Sequence, residues 1–232
     1  MLAVRYYLLL SCLILVMCLT RTAGLDLSRL DTAEEELESL VADWRAEWEK
    51  KPEARSGREL AKSLQALGIV ERQAGKPDEA LAHLTEAGDL LAKHAPELLN
   101  DSREAEALTL QDLGMLEEAE VLLRQVLEGR SQSGAGLKLA TTCDHLALNL
   151  LIQGRYLEVA AFLDRAEAAV PADNLEFRAR ITSHRGRLSH TLGSYARATS
   201  FFETALAISF EDPELRLSLQ SQLALSHLRL GR

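Results

Sequence analysis

The chain has 232 residues with 26 Lys+Arg against 35 Asp+Glu, a formal net charge of −9. An acidic chain of this kind is repelled by phosphate backbones and anionic headgroups, which argues against nucleic acid or a charged membrane surface as a general partner. Its 47% hydrophobic and 26% charged residues are the balance of an ordinary folded protein, and its 5% aromatics suit a core built mainly from Leu and Ala.

The first element is an apolar run from Tyr6 to Leu19, preceded by Arg5 and followed by Arg21. It is shorter than the roughly 20 residues of a spanning helix. With small residues at Thr22, Ala23 and Gly24, it predicts a secretory signal over residues 1–24, cut after Gly24. The protein is then exported, to a periplasm, the medium or a secretory lumen; the other reading is an uncleaved membrane anchor. Cys12 and Cys18 leave with this segment, so Cys143 remains alone and no internal disulfide can form. Cys143 sits among apolar residues and reads as a buried small side chain.

Residues 31 to 50 predict a helix with Leu37, Leu40, Val41, Trp44 and Trp48 on one face and an acidic opposite face. Within residues 25–55 this reads as an N-terminal capping helix. The alternative is a docking helix that offers its two Trp to a partner. Lys51-Pro52 ends it, and Ser56-Gly-Arg-Glu59 fits a capping box opening the next helix.

From there the chain repeats. Glycines fall at Gly75, Gly114, Gly154, Gly193 and Gly231, separated by 39, 40, 39 and 38 residues. Seven residues before each lies a small residue: Gly68, Ala107, Ala147, Gly186 and Ala224. After the first four come Ala80, Ala119, Val159 and Ala198, then Leu84, Leu123, Leu163 and Phe202, then Ala87, Val126, Ala166 and Ala205, on one helical face. Each period is a helical hairpin: glycine closes the turn, small residues let the helices approach, and the Leu or Phe fills the space beside them. A single hairpin cannot bury its apolar face alone, so the period implies a stack. The stretch Gly129-Arg-Ser-Gln-Ser-Gly-Ala-Gly136 predicts the loosest joint, a surface loop or a hinge between two pairs of repeats. Asp212-Pro213 opens a last helix with Leu215, Leu217, Leu219, Leu223, Leu225, Leu228 and Leu230 on more than one face. That helix has no partner before the sequence stops. Leu217, Leu225 and Leu228 are therefore expected to make an end-on contact with another protein or a second copy, or the array continues in a longer chain.

The order of small residue, glycine turn, Ala, Leu or Phe and Ala, with Pro171 closing the third period, resembles the tetratricopeptide repeat family. The long period and the turns Gly154-Arg-Tyr156 and Gly193-Ser-Tyr195 resemble the kinesin-light-chain type. The resemblance implies an all-α fold, a right-handed superhelix of antiparallel helix pairs over residues 56–232, with about four repeats and a final unpaired helix. Glu106 and Arg185 fall where the family usually has Leu.

The resemblance also implies that first helices line a concave groove. Lys62, Gln65 and Arg72 would then line it in the first repeat, Asp144 and His145 in the third, and Arg180, His184, Arg187 and His190 in the fourth. Arg178, Arg180, Arg185 and Arg187 with His184 and His190 form one basic patch, either a site for an acidic peptide or carboxylate terminus, or a solvated face paired with acids such as Glu176 and Glu203. The paired Lys and Asn of the family's carboxylate clamp have no counterpart at matching positions. No two histidines have chelating helical spacing, and no nucleophile elbow or phosphate loop is present. The expectation is a non-enzymatic scaffold that holds a peptide or helix of a partner, with no metal, no cofactor and no small-molecule substrate. The alternative is a subunit that assembles end-on, as a homodimer or with another chain.

Overall fold

The computed structural model describes residues 27–134 and 136–231, with side chains from Leu30 onward. The signal expected over residues 1–24 lies outside the described residues. The helices are α1 (Leu27–Lys50), α2 (Ala54–Gln73), α3 (Pro77–His94), α4 (Leu99–Asp112), α5 (Leu116–Ser133), α6 (Gly136–Ile152), α7 (Tyr156–Ala169), α8 (Leu175–Thr191), α9 (Tyr195–Ala207) and α10 (Pro213–Arg229). A 3-10 turn over Pro96–Leu98 leads into α4, and no strand occurs among the described residues.

The five period glycines all have φ between 72° and 78°. At the first four, the residue after the glycine donates its N–H to a carbonyl five positions back: Lys76 to Glu71 at 2.8 Å, Met115 to Leu110, Arg155 to Leu150 and Ser194 to Ser189, each at 2.9 Å. This bond closes the helix end only with a left-handed residue before it, which glycine alone adopts cheaply.

The chain divides into two compact units, Met1–Val126 and Leu127–Arg232. In the first, Leu30, Leu37, Leu40, Val41 and Trp44 of α1 bury against Leu60, Leu64, Leu67 and Val70 of α2 and Ala87 of α3. Arg45 holds Glu86 with two 2.7 Å bonds, and Lys76 reaches Glu34 at 2.7 Å. Trp44 is buried, and Trp48 meets the His94 ring edge-on at 5.1 Å. Both tryptophans are thus engaged inside this unit. In the second unit, Ala179, Ala198, Phe202, Ala205, Phe210 and Leu219 form the core of α8, α9 and α10.

The small residue seven before the turn does what the repeat pattern requires. A Cβ on Gly68 would lie 2.7 Å from Leu84 Cγ, and one on Gly186 would lie 2.5 Å from Phe202 Cε1. The two polar departures sit in matching register, eight residues before their glycines. Leu67 and Leu146 are core residues there, 1% and 0% exposed. Glu106 instead accepts the Thr85 hydroxyl of α3 at 3.0 Å, and burial pushes its carboxyl up against that bond. Arg185 reaches back to Asp164 and Glu167 of α7, each at 2.7 Å. Each reaches a polar partner on the preceding helix pair.

Two local expectations are corrected. The stretch Gly129–Gly136 is not a loop throughout: α5 runs on through Ser133 and α6 opens at Gly136. Arg130, 4% exposed, fixes it by donating to the Lys138 carbonyl at 2.9 Å and the Thr142 hydroxyl at 2.6 Å on α6. That tertiary anchor outweighs the weak helix preference of Gly129 and its serine neighbours. Ser56 does not cap α2 either, because the helix begins at Ala54. Ser56 lies in its first turn, where its hydroxyl accepts the Glu53 N–H at 3.3 Å and donates to the Lys51 carbonyl at 3.0 Å.

Cys143 is buried, and burial pushes its thiol up to about 11 against the charge of Arg165. The thiolate is the reactive form. Aromatic disulfide reagents at pH 8 should therefore leave Cys143 unlabelled in the native chain and label it after urea unfolding. Prompt labelling of the native chain at Cys143 contradicts the burial.

Candidate polar site on α6, α8 and α10

Asp144 is the hub of the second unit. Its side chain is 3% exposed, on α6, and both its oxygens are taken by α8. Arg180 Nε donates to Oδ2 at 3.0 Å, and His184 Nδ1 donates to Oδ1 at 2.7 Å. Burial alone would raise this carboxyl; the charge and hydrogen bond of His184, then Arg180 and His145, outweigh it and hold Asp144 below the usual carboxylate range. The Arg180 guanidinium also lies over the Phe177 ring, 4.3 Å from its centroid.

Further along α8, His190 Nδ1 lies 2.9 Å from the Ser226 hydroxyl of α10. That hydroxyl spends its one proton on the Gln222 carbonyl at 2.9 Å, so His190 is the donor. Its ring meets Tyr195 edge-on at 5.0 Å. Side-chain bonds thus tie α6 to α8 and α8 to α10.

Arg187, half-buried between these two ties, differs from its neighbours. Among the described residues its guanidinium has no hydrogen bond or ion pair. Burial lowers its pKa and the charge of Asp144 opposes that, although no hydrogen bond joins the two.

The basic patch expected from the sequence divides between two faces. Arg180, His184, Arg187 and His190 stand with Asp144 and Ser226, whereas Arg185 holds Asp164 and Glu167, and Arg178 lies 4.0 Å from Glu167. His145 adds its charge to the field on Asp144. In the first unit Lys62 pairs with Glu59 at 3.0 Å on its own helix, and Gln65 is half-buried on α2. Arg72 Nε reaches Asp112 of α4 at 2.6 Å, tying first helices one period apart as Asp144 does in the second unit. Leu217, Leu225 and Leu228 of α10 are 65%, 50% and 72% exposed, while Leu219 is buried. The Asp144 and Ser226 pairings were not foreseen, although their separations of 36 and 40 residues lie close to one period. Among the described residues no three metal-ligating side chains converge, and no helix is long and apolar enough to cross a membrane.

No family model and no curated protein sequence matches the chain. Solved structures do. BtubC (BKLC) from P. vanneervenii superposes with a TM-score of 0.69 at 18% identity, over 87% of this chain and 84% of that one. A putative kinesin light chain with TPR-like repeats from Podosopora anserina gives 0.64 at 20% identity, over 86% and 93%. The quorum sensor NprR from B. thuringiensis gives 0.73 at 18% identity in its apo form, and NprR with its cognate peptide NprX gives 0.69. The match with the peptide complex covers 99% of this chain and 62% of that one. At these identities the likeness speaks to the fold, and the chain is an all-α helical repeat protein with the tetratricopeptide-type fold.

Proposed function

We propose that the protein is a non-enzymatic scaffold that holds an extended peptide or a helix of a partner protein across α6, α8 and α10. The observation that carries this is Arg187: a half-buried cation with no hydrogen bond or ion pair among the described residues, on helices already locked by their own ion pairs and hydrogen bonds. A surface organised for its own stability would have neutralised it, as it neutralised Arg180 and Arg185. NprR, of like fold, binds a peptide. Peptides selected from a randomised twelve-residue pool should slow hydrogen–deuterium exchange in α6 and α8 more than in α7 and α9. An empty selection, or protection confined to α7 and α9, would remove the groove reading.

A second reading rests on the exposure of Leu217 and Leu228, which suits an end-on contact through α10, with another chain or a second copy. Sedimentation of a clean monomer at high concentration would eliminate self-pairing. The working arrangement is then a signal over residues 1–24, a capping helix within 25–55 and a repeat array over 56–232, exported from the cytosol. Sequencing the amino terminus of the protein from its native host tests the first of these.

A further inference from the structure

Three residues lie on one row of the second unit. Leu148, Arg187 and Leu225 each stand six residues before a turn glycine, at Gly154, Gly193 and Gly231. Those glycines share one conformation, so the three helices end in the same register. The bonds from Asp144 and Ser226 hold α6, α8 and α10 side by side. Leu148 is half-buried, Arg187 is half-buried and Leu225 is 50% exposed, so each offers surface. The row therefore reads apolar, cationic, apolar.

We propose that this row recognises a segment of a partner protein in which one acidic side chain lies between two apolar ones. The acid's carboxylate is taken by Arg187, and the apolar side chains by Leu148 and Leu225. The assignment rests on the groove reading above and gives it a ligand chemistry. The other polar side chains on this side of α8 have their partners inside the chain: Asp144 for Arg180 and His184, Ser226 for His190. A half-buried guanidinium without a partner gains most from a carboxylate, which matches its planar fork with two parallel hydrogen bonds. Leu225 decides between an acidic side chain and a carboxyl terminus. The row continues past Arg187, so the segment passes over it and does not end there.

The spacing of the row sets the spacing of the ligand. Neighbouring helices lie about 8–10 Å apart. A polyproline-II segment brings its side chains back to the same side every third residue, about 9 Å along. The expected pattern is apolar, two spacers, Asp or Glu, two spacers, apolar.

The test uses the full chain and a randomised twelve-residue pool displayed internally, so that no peptide carries a free carboxyl terminus. Enriched segments should contain an acid with apolar residues three positions to either side. In an end-blocked synthetic copy of an enriched segment, Glu to Gln should weaken binding at least about tenfold. Arg187→Ala should weaken it by a similar factor, the two changes together should do little more than either alone, and Arg187→Lys should keep part of the affinity. The change on the peptide leaves the protein untouched, so misfolding cannot imitate it. Enriched segments without acids, or affinities that ignore the Glu to Gln change, overturn this assignment and leave the groove reading standing. A pool that yields no binder overturns both.

Discussion

Replacing Asp144 with Ala should destabilise the second unit by about 2–3 kcal/mol, and lower the midpoint of its thermal transition by about 10 °C. Breaking a buried ion pair from one side ordinarily costs about 3–5 kcal/mol, because the abandoned charge stays behind. Here one partner, Arg180, is 31% exposed and partly screened, which sets the lower figure. His184, 13% exposed, and Arg187 would still be left facing an uncompensated cationic cluster. Asp144→Asn keeps the shape and removes only the charge, so it separates the two effects. The pH dependence has a definite sign. The folded carboxyl is held below its unfolded value of about 3.9, so its stabilisation is complete above that value and fades as the pH falls towards the folded pKa. Urea unfolding of the wild-type chain should therefore show a loss below about pH 4 that is smaller in Asp144→Asn. Parallel curves for the two chains would show that Asp144 is not depressed. Glu71 of the first unit runs the other way. Burial raises its carboxyl, against the 2.8 Å contact with His83, so acid relieves a penalty there.

Phe202→Ala should be the most damaging single change in the core, at about 3–5 kcal/mol. Its ring is 0% exposed and touches the contributions of α8, α9 and α10 to one cluster. Gly186 faces that ring so closely that an added Cβ would lie 2.5 Å from it, and Phe202 is fully buried. Gly186→Ala should cost about 1–3 kcal/mol by overpacking. The two are coupled: in a Phe202→Leu background the same Gly186→Ala change should cost much less, since the shorter side chain leaves room for the methyl. Additive costs in that cycle would mean that the Gly186 to Phe202 approach is not what fixes the crossing. Gly88 is the control. A Cβ there meets nothing nearer than Glu106 Oε2 at 3.9 Å, so Gly88→Ala should stabilise the first unit by about 0.5–1 kcal/mol through helix propensity alone.

The repeat was legible because its signal is a physical necessity. Only glycine accepts a φ near 75° cheaply, so every turn had to show one. The crossings were legible for a related reason, since Gly68 and Gly186 leave no space for a methyl. The continuity of α5 was not legible. Gly129, Ser131 and Ser133 look like loop residues, and the group that holds them in a helix is Arg130, whose partners Lys138 and Thr142 are identified by three-dimensional proximity and not by local propensity. The polar site was half legible. Spacing on α8 separates Arg178 and Arg185, seven apart on one stripe, from Arg180, His184 and Arg187 on another, yet the run of basic residues read as one patch. The hub at Asp144 required reading across a whole period, where composition and local pattern carry no signal.

The identical turn glycines have a consequence for how such a chain changes length. Cutting out residues 155–193 would bring Ser194 directly after Gly154, into the place Arg155 holds now, with a glycine of the same φ before it and a helix start after it. The join disturbs no helix interior. Gain or loss of whole modules of about forty residues is thus the gentlest edit open to the gene, and a shift of a few residues within a module the harshest.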